Sequence, residues 1–158
     1  VPLAPVGAAD EVAVVLAYAD VAWAGMSSIV ASLGERASLR PYPGANSPLG
    51  LLAHCLGVSE WWGGHALAGR VVGRDRAAEF ATSGPVAPWL ARVPPARQQL
   101  ARDLTGYAPL DPPRLPVEYD DGAPPPTQRS CLIHLYEELT QHHGQLEILR
   151  DLLRAPVP

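Results

Sequence analysis

Leu135-Tyr-Glu137-Glu138-Leu139-Thr-Gln-His142-His143-Gly144-Gln145-Leu146-Glu-Ile-Leu149-Arg-Asp-Leu-Leu153 is the stretch whose reading decides the fold. Leu135, Leu139, His142, Leu146, Leu149 and Leu153 follow one another in alternating steps of four and three. That spacing is the heptad stripe of a helix packed against other helices. A helix is therefore predicted from Thr127 to about Arg154. His142 stands where the stripe otherwise has leucine, and Glu138 lies one turn before it on the same face. A carboxylate beside a core is costly unless it is paired, hydrogen-bonded or bound to a cation. Carboxylate oxygen and imidazole nitrogen are both good ligands for a transition-metal dication. A lone E-x-x-x-H is common by accident, and its plain reading is a solvated Glu beside a hydrogen-bonded core His.

Working outward, Ser47-Pro48 has the form of a helix start, with Ser as cap and Pro in the first turn. The helix it opens is predicted to reach Leu67 or Gly69. Leu51, His54, Cys55, Val58, Trp61, Trp62 and His65 share its apolar side, which directs His54 inward. A first helix is predicted from Ala9 to Leu33, stopping at Gly34, with Val15, Ala19, Ala22 and Met26 on its core face. Its run Val12 to Ala31 is apolar enough to resemble a membrane span or a signal. Asp20 interrupts it, Asp10 and Glu11 precede it, and no basic segment leads it, so it reads as a buried helix. Arg70 to Ser83 is a polar connection with one helical turn near Arg76 to Phe80. A third helix spans Val86 to Leu104, broken or kinked by Pro94 and Pro95. Tyr107 to Pro126 is a Pro-rich connector expected to lie over the bundle mouth. Strand alternation and internal repeats are absent. The fold expected is all-α, a four-helix bundle with a long Pro-rich connector before the last helix. One domain is expected over residues 9–154, with flexible termini at 1–8 and 155–158. Facing helices of such a bundle can pool ligands in its core.

A chain of 158 residues can bury a substantial core. Net charge of −4 argues against nucleic-acid or polybasic membrane partners. Cys55 and Cys131 are the only cysteines, and neither belongs to a C-x-x-C motif. They read as buried free thiols of a cytoplasmic protein. Cys55 follows His54 directly, but adjacent helix residues point about 100° apart, so it is not taken as a ligand.

The segment His134-Leu-Tyr-Glu137-Glu138-Leu-Thr-Gln-His142-His143-Gly144-Gln145 resembles the last-helix signature of DinB-like metal-binding four-helix bundles. The likeness is greatest to the branch of mycothiol-dependent maleylpyruvate isomerases and related thiol S-transferases. Ser47-Pro-Leu-Gly-Leu-Leu-Ala-His54-Cys55-Leu-Gly-Val-Ser-Glu60-Trp61-Trp62 resembles the second helix of that family, which carries the first metal ligand. The resemblance runs from about Asp10 to Leu153 and is specific at these two places. It implies a metal triad of His54, Glu138 and His142. Many plainer relatives use three histidines, and Glu138 points to the mycothiol-type branch. Arg129 matches a family Arg near the start of the last helix; its plain reading is a salt bridge to the loop. His134 matches a family His and is assigned a supporting role, with ligation or substrate contact as the alternative. Trp61 and Trp62 read as core or as the wall of a cofactor pocket. His143 reads as a solvent or interface residue and His65 as a bundle-end residue.

Three protein ligands leave positions for water or substrate, where a closed structural zinc site usually has four. Zinc is the first choice, with nickel or iron as alternatives. The function implied is metal-dependent transfer of a low-molecular-weight thiol to an electrophilic small molecule, with Glu138 tuning charge at the metal. All twelve basic residues are Arg. With abundant Ala and Pro, this reads as high-G+C coding of the actinomycete kind, where mycothiol is the main small thiol. The competing class is a non-enzymatic metal-stabilised or stress-related bundle. A maleylpyruvate isomerase is a further alternative, lowered by the lack of the extra C-terminal domain associated with those enzymes. Domains of ergothioneine-forming sulfoxide synthases are not seen either. A homodimer is compatible with the sequence.

Overall fold

The computed structural model describes residues 7–118 and 124–154. Helix α1 is Ala8–Leu33, α2 is Pro48–Val58, α3 is Arg76–Phe80, α4 is Ala87–Leu90, α5 is Val93–Asp103 and α6 is Gln128–Arg154. No strand occurs among the described residues. The termini read as flexible lie mostly outside the description, but Gly7 caps α1 and Ala8 begins it.

Local chemistry sets the helix ends. Asp10 and Glu11 sit in the first turn of α1, where they complement the helix dipole. Gly34 ends that helix at φ 54°, a left-handed conformation that glycine adopts without strain. A short 3-10 turn, Gly34–Ser38, follows. Ser47 Oγ accepts from the Gly50 amide at 3.1 Å, and Pro48 occupies the first turn of α2. Asp75 caps α3 in the same way, accepting from the Ala78 amide at 2.9 Å. At the head of α6, the Thr127 amide donates to Ser130 Oγ at 2.8 Å and the Ser130 amide donates to Thr127 Oγ1 at 3.3 Å. The reciprocal pair satisfies two otherwise unpaired amides.

Two boundaries differ from expectation. The third helix is broken, as expected, but the break falls at 91–92, ahead of the prolines, and Pro94 and Pro95 form the first turn of α5. A missing N–H costs nothing there, so the prolines start a helix and do not kink one. The second helix keeps α geometry only to Val58 and then widens into a π-helix over Ser59–Leu67. There, the Ala68 amide reaches back five residues to the Gly63 carbonyl at 2.9 Å. A Cβ on Gly63 would sit 2.6 Å from Leu100 Cδ1, so the bare glycine lets α5 approach. The wider turn also rotates the apolar side. Leu51, His54, Cys55 and Val58 are buried as expected, but Trp61, Trp62 and His65 come out half-buried.

The bundle consists of α1, the α2–π rod, α5 and α6. α6 packs on α1, α2 and the π segment, while α5 closes against the π segment and α1. Leu135, Leu139, Leu146, Leu149 and Leu153 of the stripe are all buried. They join Trp23, Met26, Leu49, Leu52 and Leu100 in one core. The expected face of α1, Val15, Ala19, Ala22 and Met26, is buried with them. This helix is nevertheless two-sided, with Val14, Tyr18 and Val21 exposed. By length and composition it is apolar enough to cross a membrane, and about a third of its most apolar window is buried. Gly25 lets His143 of α6 lie directly against α1, so His143 is a helix–helix packing residue.

Candidate metal centre

His54 comes from the middle of α2, and Glu138 and His142 come from successive turns of α6. The bundle brings one ligating atom of each to within 4.8 Å of the other two. His54 Nε2 lies 3.2 Å from Glu138 Oε2, and His142 Nε2 lies 3.1 Å from the same oxygen. Their rings meet edge to face with centroids 4.9 Å apart. His54 is 1% exposed, His142 14% and Glu138 20%, so the cluster runs from the core toward its edge. His142 is thus the one partly open position of an otherwise buried stripe.

Each imidazole is held from behind. His54 Nδ1–H donates to Glu79 Oε2 at 2.9 Å. Arg74 clamps that carboxylate, Nε to Oε1 at 2.9 Å and Nη2 to Oε2 at 3.0 Å. His142 Nδ1–H donates to Gln145 Oε1 at 2.9 Å. These acceptors select the Nδ1–H tautomer of both rings, which turns both Nε2 lone pairs toward Glu138. Two lone pairs and a carboxylate oxygen facing one another need a cation or a proton between them. This donor set fits a divalent metal, and carboxylate or amide oxygens behind ligating histidines are the usual support. Phe80 stacks flat on His54 at 4.3 Å and restricts its ring further.

The electrostatics agree. Where protons on the two Nε2 atoms take the cation's place, hydrogen bonds from His142 and His54 hold the Glu138 carboxyl well below its ordinary range, outweighing burial. Burial pulls His142 down, but the bonds to Glu138 and Gln145 outweigh it and leave the ring more basic than usual. Burial, with the charges of Glu138 and Glu79, pushes the Cys55 thiol far up. Cys55 is therefore a neutral core thiol beside the site, as expected, and not a ligand.

Other expected site residues are placed as follows. His134 Nε2 stands 3.4 Å from Glu138 Oε1, while its Nδ1 meets Glu137 at 3.1 Å. It touches the oxygen of Glu138 that does not face the histidine pair. Trp62 meets the His134 ring edge to face at 4.7 Å. Trp61 and Trp62 line a cavity of about 760 Å³ with His65, Arg74, Arg76 and Pro116–Glu118. They are pocket wall, and the Pro-rich connector closes one side of that pocket. His65 stacks on Trp61 at 4.1 Å and bonds the Pro116 carbonyl at 2.9 Å. Arg129 is not brought to the triad. It pairs with Glu11 of α1 at 3.0 Å, where Tyr107 also meets Glu11 at 3.2 Å. Nine residues of helix, about 13.5 Å of rise, separate it from Glu138. The partner is thus α1 and not the connector expected from sequence.

A family model described as Mycothiol-S-transferase matches residues 15–155. The chain belongs to the mycothiol-S-transferase family. The match covers all three triad residues, His54, Glu138 and His142, as well as Glu79 and Gln145 behind them. Membership places a His–Glu–His cluster for a divalent cation in a family named for an enzyme of thiol chemistry. No curated protein matches the chain.

Glu79, Arg74 and Gln145 were not singled out from sequence. Gln145 had a signal, since it sits three residues after His142 on the same helix. Glu79 and Arg74 had none, because their approach to His54 is a tertiary contact across a loop. Gly57 makes that approach possible: a Cβ there would collide with Glu79 Oε1. Gly57→Ala is accordingly expected to push Glu79 off His54 and to weaken metal binding by about 10- to 100-fold, the usual effect of losing such support. Competition against a chromophoric chelator measures it, and wild-type affinity in the variant would show that Glu79 does not matter.

Proposed function

We propose that this protein is a cytoplasmic metal-dependent thiol transferase that joins mycothiol to an electrophilic small molecule at the His54–Glu138–His142 centre, with zinc as the metal. The observation carrying this reading is the convergence of two supported Nε2 atoms and one carboxylate in a chain of the mycothiol-S-transferase family. A zinc ion bound there would lower the pKa of a bound thiol so that it is present as thiolate at neutral pH.

The chain's own residues do the rest. Glu138 supplies one negative charge against two neutral imidazoles, leaving net positive charge for an incoming anion. His134, at 3.4 Å from Glu138 Oε1, limits rotation of that carboxylate. Arg74 and Glu79 fix His54, and Gln145 fixes His142, so the donors need little reorganisation. Three protein donors leave coordination positions for thiol and substrate. The third nearby imidazole, His134, is engaged by Glu137 and Glu138. This favours a catalytic over a closed structural centre.

Metal analysis of the purified protein, followed by conjugation assays with mycothiol, bacillithiol and glutathione, tests the reading. Monochlorobimane serves as the acceptor. One zinc per chain and selective acceleration with mycothiol are expected, with the greatest advantage over solution near neutral pH, where the free thiol is mostly protonated. Full metal occupancy without acceleration by any of the three thiols would overturn it and leave a metal-binding bundle.

A further inference from the structure

We propose that the cavity walled by Trp61, Trp62, Arg76 and Glu118 is the subsite for the neutral, polyhydroxylated carrier of the thiol, the sugar–cyclitol half of mycothiol. This rests on the thiol-transferase reading. Mycothiol is an N-acetylcysteine amide-linked to glucosaminyl-inositol, so its reactive sulfur and its bulky carrier are separate parts that need separate places.

The cavity has the position such a carrier needs. None of the three triad residues lines it, yet its walls touch their surroundings from two sides. Trp62 abuts His134, which contacts Glu138. Arg76 lies 5.1 Å over Phe80, which stacks on His54. A carrier seated here would be offset from the metal by a short gap. The cysteinyl arm, about one extended residue or ~3.5 Å plus its side chain, is suited to cross it.

The lining has matching chemistry. A volume of about 760 Å³ lies within the ~300–1,000 Å³ range of small-molecule pockets. Trp61 is backed by the parallel ring of His65, itself anchored on the Pro116 carbonyl, so it is a stiff aromatic wall. Aromatic faces pack against the C–H faces of sugar rings, while forked guanidinium and carboxylate groups grip hydroxyl pairs. The charges on the wall also nearly cancel. Arg74 is neutralised by Glu79 at 2.9 Å, leaving Arg76 and Glu118 with opposite signs. Arg76 makes no ion pair with a carboxylate among the described residues, so its donors are free for hydroxyls. A balanced, forked, aromatic wall selects a neutral polyol over the doubly carboxylated glutathione.

Calorimetric titration of the zinc-loaded protein with N-acetylglucosaminyl-inositol, a neutral carrier without sulfur, tests this. The expected result is saturable binding, displaced by mycothiol and weakened at least tenfold in both Trp61→Ala and Arg76→Ala. Zinc content and the helical circular-dichroism signal show whether each variant is folded. Arg76 is exposed, so its variant decides the matter if Trp61→Ala does not fold. Failure of the wild-type protein to bind the glycoside, or undiminished binding in folded Arg76→Ala, overturns the subsite. Because the probe carries no thiol, that outcome is read independently of whether the transferase assay succeeds.

Discussion

His142→Leu is expected to lose its metal and its conjugating activity while keeping its fold. Two of the three donors, Glu138 and His54, would remain, but they sit on different helices and the pair within α6 would be gone. Metal content should drop from one per chain to none, and the rate to that of the thiol in solution. Stability should move little. Leucine completes the stripe between Leu139 and Leu146, both fully buried, and removes a polar ring from a half-buried position. Replacing a buried ionic group by an apolar one of similar size is often neutral or stabilising. Glu138 would keep its contacts with His54 and His134. The metal-free variant should therefore melt within about 4 °C of the metal-free wild type, equivalent to roughly 1 kcal/mol in a domain of this size. A far larger loss, seen by calorimetry on both metal-free proteins, would mean that the His142 side chain itself holds the bundle together.

Metal affinity is expected to fall about tenfold for each pH unit below the raised pKa of His142, because binding must displace a proton from that ring. Glu138, held far below its ordinary value, stays ionised over this range and adds nothing to the slope. The metal-free protein should behave oppositely at the upper edge. His142 is more basic when folded, so its contribution to stability is complete below its ordinary value of 6.5 and is lost as pH rises through the raised value. Glu138 is more acidic when folded. Its contribution is present above its ordinary value of 4.5 and is lost as pH falls toward the depressed one. Melting temperatures from about pH 5 to about pH 8 should thus decline for the chelator-treated protein and rise for the zinc-loaded one. Parallel curves for the two forms would show that the metal does not sit on His142.

What could be read from the chain alone follows from where the information lies. The helices of the bundle were legible because heptad spacing, Ser47-Pro48 and Gly34 are local signals. The clustering of His54, Glu138 and His142 was legible because Glu138 and His142 share a helix face and a family motif, and His54 lies in a second one. The short turn at Arg76–Phe80 was also visible, but its purpose was not. Glu79 is 25 residues from His54 in sequence, and only the fold brings them to 2.9 Å. Arg129 shows the converse. A motif position suggested the site, but a carboxylate at Glu11 on the neighbouring helix takes it. Widening of the helix after Val58 was hidden because a run of apolar, aromatic and glycine residues has the same local look in either geometry. Its consequence, two half-exposed tryptophans facing a cavity, was hidden with it.

That widened stretch, Ser59–Leu67, also gives one rod two parts that differ in helical phase, Pro48–Val58 and Ser59–Leu67. The part before it carries His54 and must keep its angular setting to within a fraction of a turn. The widened part itself carries Trp61, Trp62 and His65 of the cavity wall. A π segment of this kind is where a helix can gain or shed a single residue, because the loosened turn absorbs the change. Removal of one residue there would tighten the coil and swing Trp61 and Trp62 around the axis, leaving His54 where it is. The bundle thus has a hinge of descent: a position at which a lineage could reshape the cavity wall without moving His54.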